Sequence, residues 1–268
     1  MIKVKSLCFK YEDGTKALNN INIDLGKGKV IGLIGSNGSG KSTLFLNMIG
    51  ILKPDSGHIE YKGSVLKYDK KFLREYRKKV NIVFQEPDKQ LFYPNVFDDV
   101  AFSLRNMGVC EGEVKLRVKA ALNQVSAYDL KEKPIHFLSY GQKKRVAIAG
   151  VLAIDTDIIL MDEPTNGLDP HMTGEMKKII KEISKDKIIV ISSHDMDMIY
   201  EICDYVYILA KGEVLGEGKT QEVFSHRELL DRAFLERPWL VKIHEGLGLP
   251  LFKNEDQLFN YGEGRTKA

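Results

Sequence analysis

Long apolar runs are missing from this sequence. The longest, Val30 to Ile34, Val146 to Ile154 and Ile188 to Ile191, fall far short of the roughly 20 residues a helix needs to cross a bilayer. A membrane-spanning role is therefore excluded. The N-terminal Met1 to Lys5 alternates apolar and basic residues like a strand, and lacks the apolar core and small-residue cleavage site of a secretion signal. The expectation is a chain that stays in the cytoplasm. Its three cysteines, Cys8, Cys110 and Cys203, are scattered, with no CxxC or other metal-ligand spacing, and read as reduced thiols. A dominant charge is missing too: 40 Lys and Arg against 37 Asp and Glu leave +3, too little to argue for a nucleic-acid partner. The basic run from Lys67 to Lys79 is broken by Asp69 and Glu75, as on a solvated helix face. No repeat or low-complexity tract appears. What is present, 268 residues with 43% hydrophobic and 29% charged, suits a globular fold with one large core or two modest ones.

Periodicity divides the chain into three zones. Up to about Gln85 it is strand-rich: Ile2 to Phe9 and Ile21 to Leu25 alternate, and Val30 to Ile34 reads as a buried strand leading into a glycine loop and a helix. From about 86 to 152 it reads as helical, with Val96 to Met107 closed by Gly108 and a charged amphipathic stretch over Glu111 to Val125. The third zone returns to strand and helix in alternation. Ile158 to Met161 is an apolar strand, Asp169-Pro170 supplies an N-cap followed by Pro at the first helical position, and Ile188 to Ser192 and Tyr205 to Leu209 are further strands. Such alternation implies an α/β fold with a mainly parallel, doubly wound sheet and a ligand beyond the carboxyl ends of its strands.

The strongest local signal is Gly35-Ser36-Asn37-Gly38-Ser39-Gly40-Lys41-Ser42, which fits the GxxxxGK[ST] phosphate loop. It follows an apolar strand and opens a helix at Thr43, as the motif requires. Successive backbone N–H groups and the positive helix end would surround a polyphosphate. Lys41 would reach the β/γ oxygens and Ser42 a Mg²⁺ ion. Asp162 and Glu163, at the end of an apolar strand, supply the other half of phosphoryl-transfer chemistry, Asp162 to hold Mg²⁺ and Glu163 to polarise the attacking water. No Asn-Lys-x-Asp motif supports guanine specificity.

Leu138-Ser139-Tyr140-Gly141-Gln142 then decides among nucleotide-binding enzymes. From about residue 1 to 225 the chain resembles the ABC ATPase family, whose signature is usually LSGGQ. The resemblance implies a P-loop NTPase core with a mainly parallel sheet and an antiparallel β subdomain (1–85 and 153–225), an inserted helical subdomain carrying the signature (86–152) and a C-terminal extension (226–268). It implies ATP and Mg²⁺ as cofactors, with Tyr11 stacking on adenine, Gln85 as the glutamine loop that senses Mg²⁺ and γ-phosphate, Asp169 as the aspartate loop and His194, 31 positions after Glu163, as the switch histidine. Ser139 is a good N-cap, so its hydroxyl and the nearby N–H groups form an anion-binding helix start. In this family Ser139, Gly141 and Gln142 of one subunit would face the phosphate loop of another, so that hydrolysis requires a dimer. Tyr140 departs from the usual Gly, and its bulky side chain must point away from the nucleotide or restrict the backbone torsions there.

Gln85-Glu86-Pro87-Asp88-Lys89-Gln90-Leu91-Phe92 looks like the energy-coupling-factor importers, particularly cobalt-importing ATPases of the CbiO type. That resemblance implies an ATPase that energises import of a metal ion, cobalt before nickel, through separate membrane subunits at the cytoplasmic face. A vitamin importer and a non-transport ABC ATPase are the alternatives. DNA-repair and chromosome ATPases would carry a heptad insertion between phosphate loop and signature, and translation-factor ATPases usually repeat the motif set. Neither feature is present. His58, His136, His171, His194, His226 and His244 show no ligand spacing, so a transported metal would bind in the membrane subunits. Arg227 to Arg237 reads as a helix with Leu229, Leu230, Ala233 and Phe234 on one face, ended by Pro238. The extension resembles one through which such ATPases touch each other, and packing on the chain's own core is equally open. Tyr261 to Ala268 reads as a loose end.

Overall fold

Two kinds of strand pattern sort into two sheets in the computed structural model, which describes the backbone of residues 1–266 and the side chains of 1–262. The strands are β1 (Ile2–Lys10), β2 (Lys16–Asp24), β3 (Val30–Ile34), β4 (Ser56–Tyr61), β5 (Ser64–Val65), β6 (Val80–Val83), β7 (Ile158–Asp162), β8 (Ile188–Ser193), β9 (Tyr205–Ala210) and β10 (Glu213–Lys219). Alternating β1 and β2 join β4 and β5 in an antiparallel sheet of order β2-β1-β4-β5. The continuously apolar β3 and β7 are buried at every position and lie inside a six-stranded sheet of order β10-β9-β3-β8-β7-β6. Its strands are parallel except for β10 at one edge. Runs buried on both faces belong in such a sheet because helices or a second layer cover each side.

The helices are α1 (Lys41–Met48), α2 (Lys70–Tyr76), α3 (Val96–Asn106), α4 (Glu111–Gln124), α5 (Tyr140–Ala153), α6 (Pro170–Ile183), α7 (Met196–Ile202), α8 (Thr220–Ser225), α9 (Arg227–Arg232), α10 (Trp239–Leu247) and α11 (Glu255–Thr266). Successive residues of a strand face opposite sides, and this splits the core in two. Ile34, Ile159, Met161, Ile189, Ile191 and Ile208 face α5, α6 and α7. Leu33, Leu160, Val190 and Leu209 face α1 and the antiparallel sheet. Among the described residues, no helix is long and apolar enough to cross a membrane.

The C-terminal extension packs on its own chain. Leu230, Leu240, Val241 and Phe252 are buried in the first core. The Trp239 N–H donates to Asp197 at 2.8 Å, and the Tyr200 hydroxyl to the Phe252 carbonyl at 3.0 Å. The helix expected over Arg227 to Arg237 stops at Arg232. Phe234 takes a left-handed φ of +56° and is exposed, off the apolar face assigned to it. The reason is a local hydrogen-bond closure: the Leu235 N–H reaches the Leu230 carbonyl and the Phe234 N–H the Asp231 carbonyl, which is the Schellman ending with Phe where Gly is usual. The expected loose end is also corrected, since α11 continues to Thr266. Lys267 and Ala268 lie outside the described residues.

Candidate active site

The phosphate-loop sequence spans the turn from β3 to α1. Helices α2, α3, α5, α6 and α7 each begin on a side chain, Asp69, Asn95, Ser139, Asp169 and Asp195, that accepts from an N–H of the first turn. Helix α1, like α4, α8, α9 and α10, has no side-chain cap; it begins on Gly40, and its first N–H groups remain available to an anion beside the cleft. Gly40 has φ +106°, and a β-carbon there would stand 2.7 Å from the Ala17 carbonyl oxygen; only glycine fits both conditions. Lys41 is buried, and its Nζ donates to the Gly35 carbonyl at 2.7 Å and the Ser36 carbonyl at 3.1 Å. Burial lowers the pKa of its ammonium, while Glu163 and Asp162 oppose that shift.

The carboxylates come from β7. Parallel pairing sets Asp162 opposite Ser192, so the residues that follow β8 arrive beside Glu163. Asp162 and Glu163 are 8% and 7% exposed, and the Ser192 hydroxyl donates to Asp162 Oδ1. Glu163 Oε2 stands 2.9 Å from His194 Nδ1 and accepts from the Ser193 hydroxyl at 3.3 Å and the His194 N–H at 3.4 Å. Glu163 also has φ +46°, a conformation costing about 1–2 kcal/mol for a residue with a β-carbon and concentrated at functional sites. Its N–H donates to the Ser192 carbonyl at 3.0 Å.

These residues share a cleft of about 430 Å³. Asn37, Gly38, Ser39, Gly40, Lys41, Ser42 and Thr43 line it together with Gln85, Asp162, Glu163, His194 and Tyr11. The Tyr11 hydroxyl meets Thr43 Oγ1 at 2.9 Å, and the ring stands edge-on to Phe9. Gly35 and Ser36 are not among the lining residues, and their carbonyls accept from Lys41. Ser139, Gly141, Gln142 and Asp169 are not in this cleft. Ser139 and Gln142 form a reciprocal capping box at the start of α5, and Asp169 caps α6. Thr15, Lys16, Ala17 and Asn166 also line the cleft. No motif marks the first three, which β2 and the turn before it bring in; Asn166 carries a weak signal in its nearness to Glu163.

A family model described as ABC transporter matches residues 18–166. The chain belongs to the ABC transporter family. It is an ABC ATPase, which binds and hydrolyses ATP. The cobalt import ATP-binding protein CbiO of Salmonella typhimurium is 46% identical over 97% of this chain and 96% of that protein. The energy-coupling factor transporter ATP-binding protein EcfA of Methanosphaera stadtmanae is 45% identical over 92% and 89% of the two chains. Among solved structures, cbiO1 from Clostridium perfringens, part of the ABC transporter complex cbiONQ, matches with a TM-score of 0.79 and 43% identity over 91% of this chain and 98% of that one. A dimeric bacterial ABC transporter cassette, MJ0796, matches with a TM-score of 0.74 and 27% identity over 82% and 99%.

In this ABC ATPase the segment after Gln85 borders a second groove, of about 180 Å³, lined by Phe84, Gln90, Leu91, Phe92, Asp99, Phe102 and α5. Phe92 is 64% exposed. Asp99 accepts from the Phe92 and Tyr93 N–H groups, and burial raises its pKa against those two bonds. The Gln90 amide is committed within the chain, accepting from the Phe84 N–H at 3.1 Å and donating to the Ala147 carbonyl at 3.3 Å. Asp88 lies outside this lining and pairs with Lys143 at 2.6 Å.

Proposed function

We propose that this chain is the ATP-hydrolysing motor of a metal-ion importer, cobalt before nickel, working as a dimer bound to separate membrane subunits at the cytoplasmic face. The convergence of Lys41, Gln85, Asp162, Glu163 and His194 in one cleft, with Ser139 and Gly141 outside it, carries the reading. Such a cleft holds half of a catalytic site, and the missing half is the signature of a second chain. The dimeric cassette with the same fold supports this. The name of the CbiO relative supports cobalt, and the place of cbiO1 in the cbiONQ complex supports separate partner subunits. The similarity to EcfA, an energy-coupling factor transporter ATP-binding protein, supports the energy-coupling-factor resemblance, whose second reading is a vitamin importer. Residues 1–85 and 153–225 then act as the nucleotide-binding core, 86–152 as the helical unit that carries the signature, and 226–268 as an extension.

Ser42, Gln85 and Asp162 line one cleft and offer hydroxyl, amide and carboxylate oxygens, the hard donor set that Mg²⁺ takes; these residues would hold the ion. When bound, Mg²⁺ neutralises charge on the β/γ-phosphates. Lys41 and the loop N–H groups bind and orient the phosphates. Tyr11 stacks on adenine. Glu163 accepts a hydrogen bond from the attacking water, and His194, fixed by Glu163, reaches the γ-phosphate. Asp169 positions the start of α6 at the interface between chains.

The groove beside Phe92 would receive helices of the membrane subunits. Phe92 is exposed whereas Gln90 is bonded within the chain, so Phe92→Asp probes the groove. The full transporter carrying this variant should lose ATP-dependent uptake of radioactive cobalt while the isolated chain keeps its ATPase activity. Cobalt uptake at the wild-type rate with Phe92→Asp would remove the groove from the reading. A wild-type transporter that accumulates a vitamin but neither cobalt nor nickel would replace the cargo.

A further inference from the structure

Helix α5 begins at the signature, and two of its side chains, one turn apart, reach back to the backbone of the segments that carry Gln85 and Glu163 in the same chain. Residues four apart share a helix face, and here that face carries Tyr140 and Lys144. Lys144 is 3% exposed. Its Nζ donates to the Glu163 carbonyl at 2.7 Å and the Pro164 carbonyl at 3.1 Å, and stands 5.3 Å from the centre of the Tyr140 ring. The Tyr140 hydroxyl donates to the Gln85 carbonyl at 3.1 Å. The Tyr140 ring lies against Gly167, where φ is +77° and a β-carbon would meet ring atom Cε1 at 2.9 Å. One face of the signature helix thus touches the glutamine loop, the backbone of the catalytic carboxylate and the loop that follows it.

Burying an ammonium among backbone carbonyls is expensive unless its hydrogen bonds are met. Lys144 meets two with carbonyls and has an aromatic face beside it. An apolar side chain would fill the space at less cost, so the gain lies in what the bonds fix. Glu163 shows what that is. Its backbone is held in the left-handed region at both ends, by the Ser192 carbonyl on its N–H and, on its carbonyl, by Lys144 at 2.7 Å and the Asn166 N–H at 3.2 Å.

We propose that Lys144 and Tyr140 are positioning residues through which the signature end of α5 sets the backbone of Glu163 and Gln85 in the same chain. The consequence rests on the shared-site reading given above. A partner's nucleotide that closes on Ser139 and Gly141 moves α5, and α5 brings this chain's own carboxylate into line. Each site then reports to the other, and Tyr140, in place of the commoner glycine, is part of the connection.

The test is Lys144→Met and Tyr140→Phe in the full chain, with ATPase rate against ATP concentration, binding of a fluorescent ATP analogue, and thermal melting. Lys144→Met keeps the volume without the donor, and Tyr140→Phe removes only the hydroxyl. Displacement of a catalytic group by about 1 Å costs up to about a hundredfold, so kcat should fall about ten- to hundredfold for Lys144→Met and less for Tyr140→Phe. Nucleotide affinity should stay within about twofold of wild type, because the phosphate loop is untouched. The Hill coefficient should fall from about two toward one. A lower Tm with kcat and Hill coefficient unchanged in both variants would show a merely structural role and overturn the proposal. A wild-type Hill coefficient of one would overturn it by a different route, by showing that the two sites do not communicate.

Discussion

Replacing Glu163 by Gln changes one atom and tests the chemistry assigned to it. The carboxylate is 7% exposed and is met by His194 Nδ1 at 2.9 Å, the Ser193 hydroxyl at 3.3 Å and the His194 N–H at 3.4 Å. An amide of the same shape keeps one oxygen for these donors and loses the negative charge and the basicity. Weaker hydrogen bonds cost about 1 kcal/mol, and removal of a buried charge offsets part of that, so Tm should move by no more than about 4 °C. Lys41 and the loop N–H groups are unaffected, and ATP affinity should be unchanged or slightly higher with one negative charge gone. The rate is another matter. A positioned base contributes about 10²–10⁴, equivalent to about 3–5 kcal/mol of barrier, and phosphate release should fall by that factor. The assay pairs phosphate release at saturating ATP with equilibrium binding of a fluorescent analogue. A kcat within about threefold of wild type would remove Glu163 from its role, and a matching loss of affinity would show damage to the cleft instead.

Two further predictions use related measurements. Lys41→Ala should weaken nucleotide binding itself, by about tenfold or more for a lost charge-assisted contact to phosphate; unchanged affinity would refute the reading of the loop. Burial pushes the Lys144 ammonium down to about 8 from its ordinary 10.5, with Glu163 and Asp162 opposing the shift. Between those values the unfolded chain holds a proton that the folded chain has released, so stability rises with pH. Denaturant unfolding should therefore show the wild type gaining on Lys144→Met from pH 8 to 10.5, and a flat or falling difference would contradict that environment for Lys144.

Motifs contiguous in the chain are legible from the order of residues alone. The phosphate loop, the Asp162-Glu163 pair, the Ser139 cap and the Asp169-Pro170 helix start depend on local geometry, and each lies where its pattern puts it. His194 is within reach of such a reading because two parallel strands in register bring their carboxyl ends together. Contributions from distant segments are not legible. Thr15, Lys16 and Ala17 enter the cleft through pairing in the antiparallel sheet, which no short pattern encodes. Lys144 stands in a run of three basic residues, Lys143 to Arg145, and nothing in that run distinguishes the one buried on backbone carbonyls. The C-terminal misreading is local: an apolar helical period continues through Phe234, but hydrogen bonds to Leu230 and Asp231 close the helix before it.

Whether ATP is hydrolysed in a site built by two chains is decided by mixing two inactive variants. Lys41→Ala disables the phosphate loop and Ser139→Arg disables the signature. A two-fold dimer of either alone has two broken sites, whereas the mixed dimer gathers both lesions in one site and leaves the other whole. Equal mixing should restore activity to at most about a quarter of the wild-type rate, since about half the dimers are mixed and each has one intact site, and to less than that by the share of the rate that passes through Ser139 of the chain supplying Glu163 to that site. Recovery from two dead preparations is the predicted result; no recovery, with mixed dimers demonstrated in the sample, would contradict a site shared between chains.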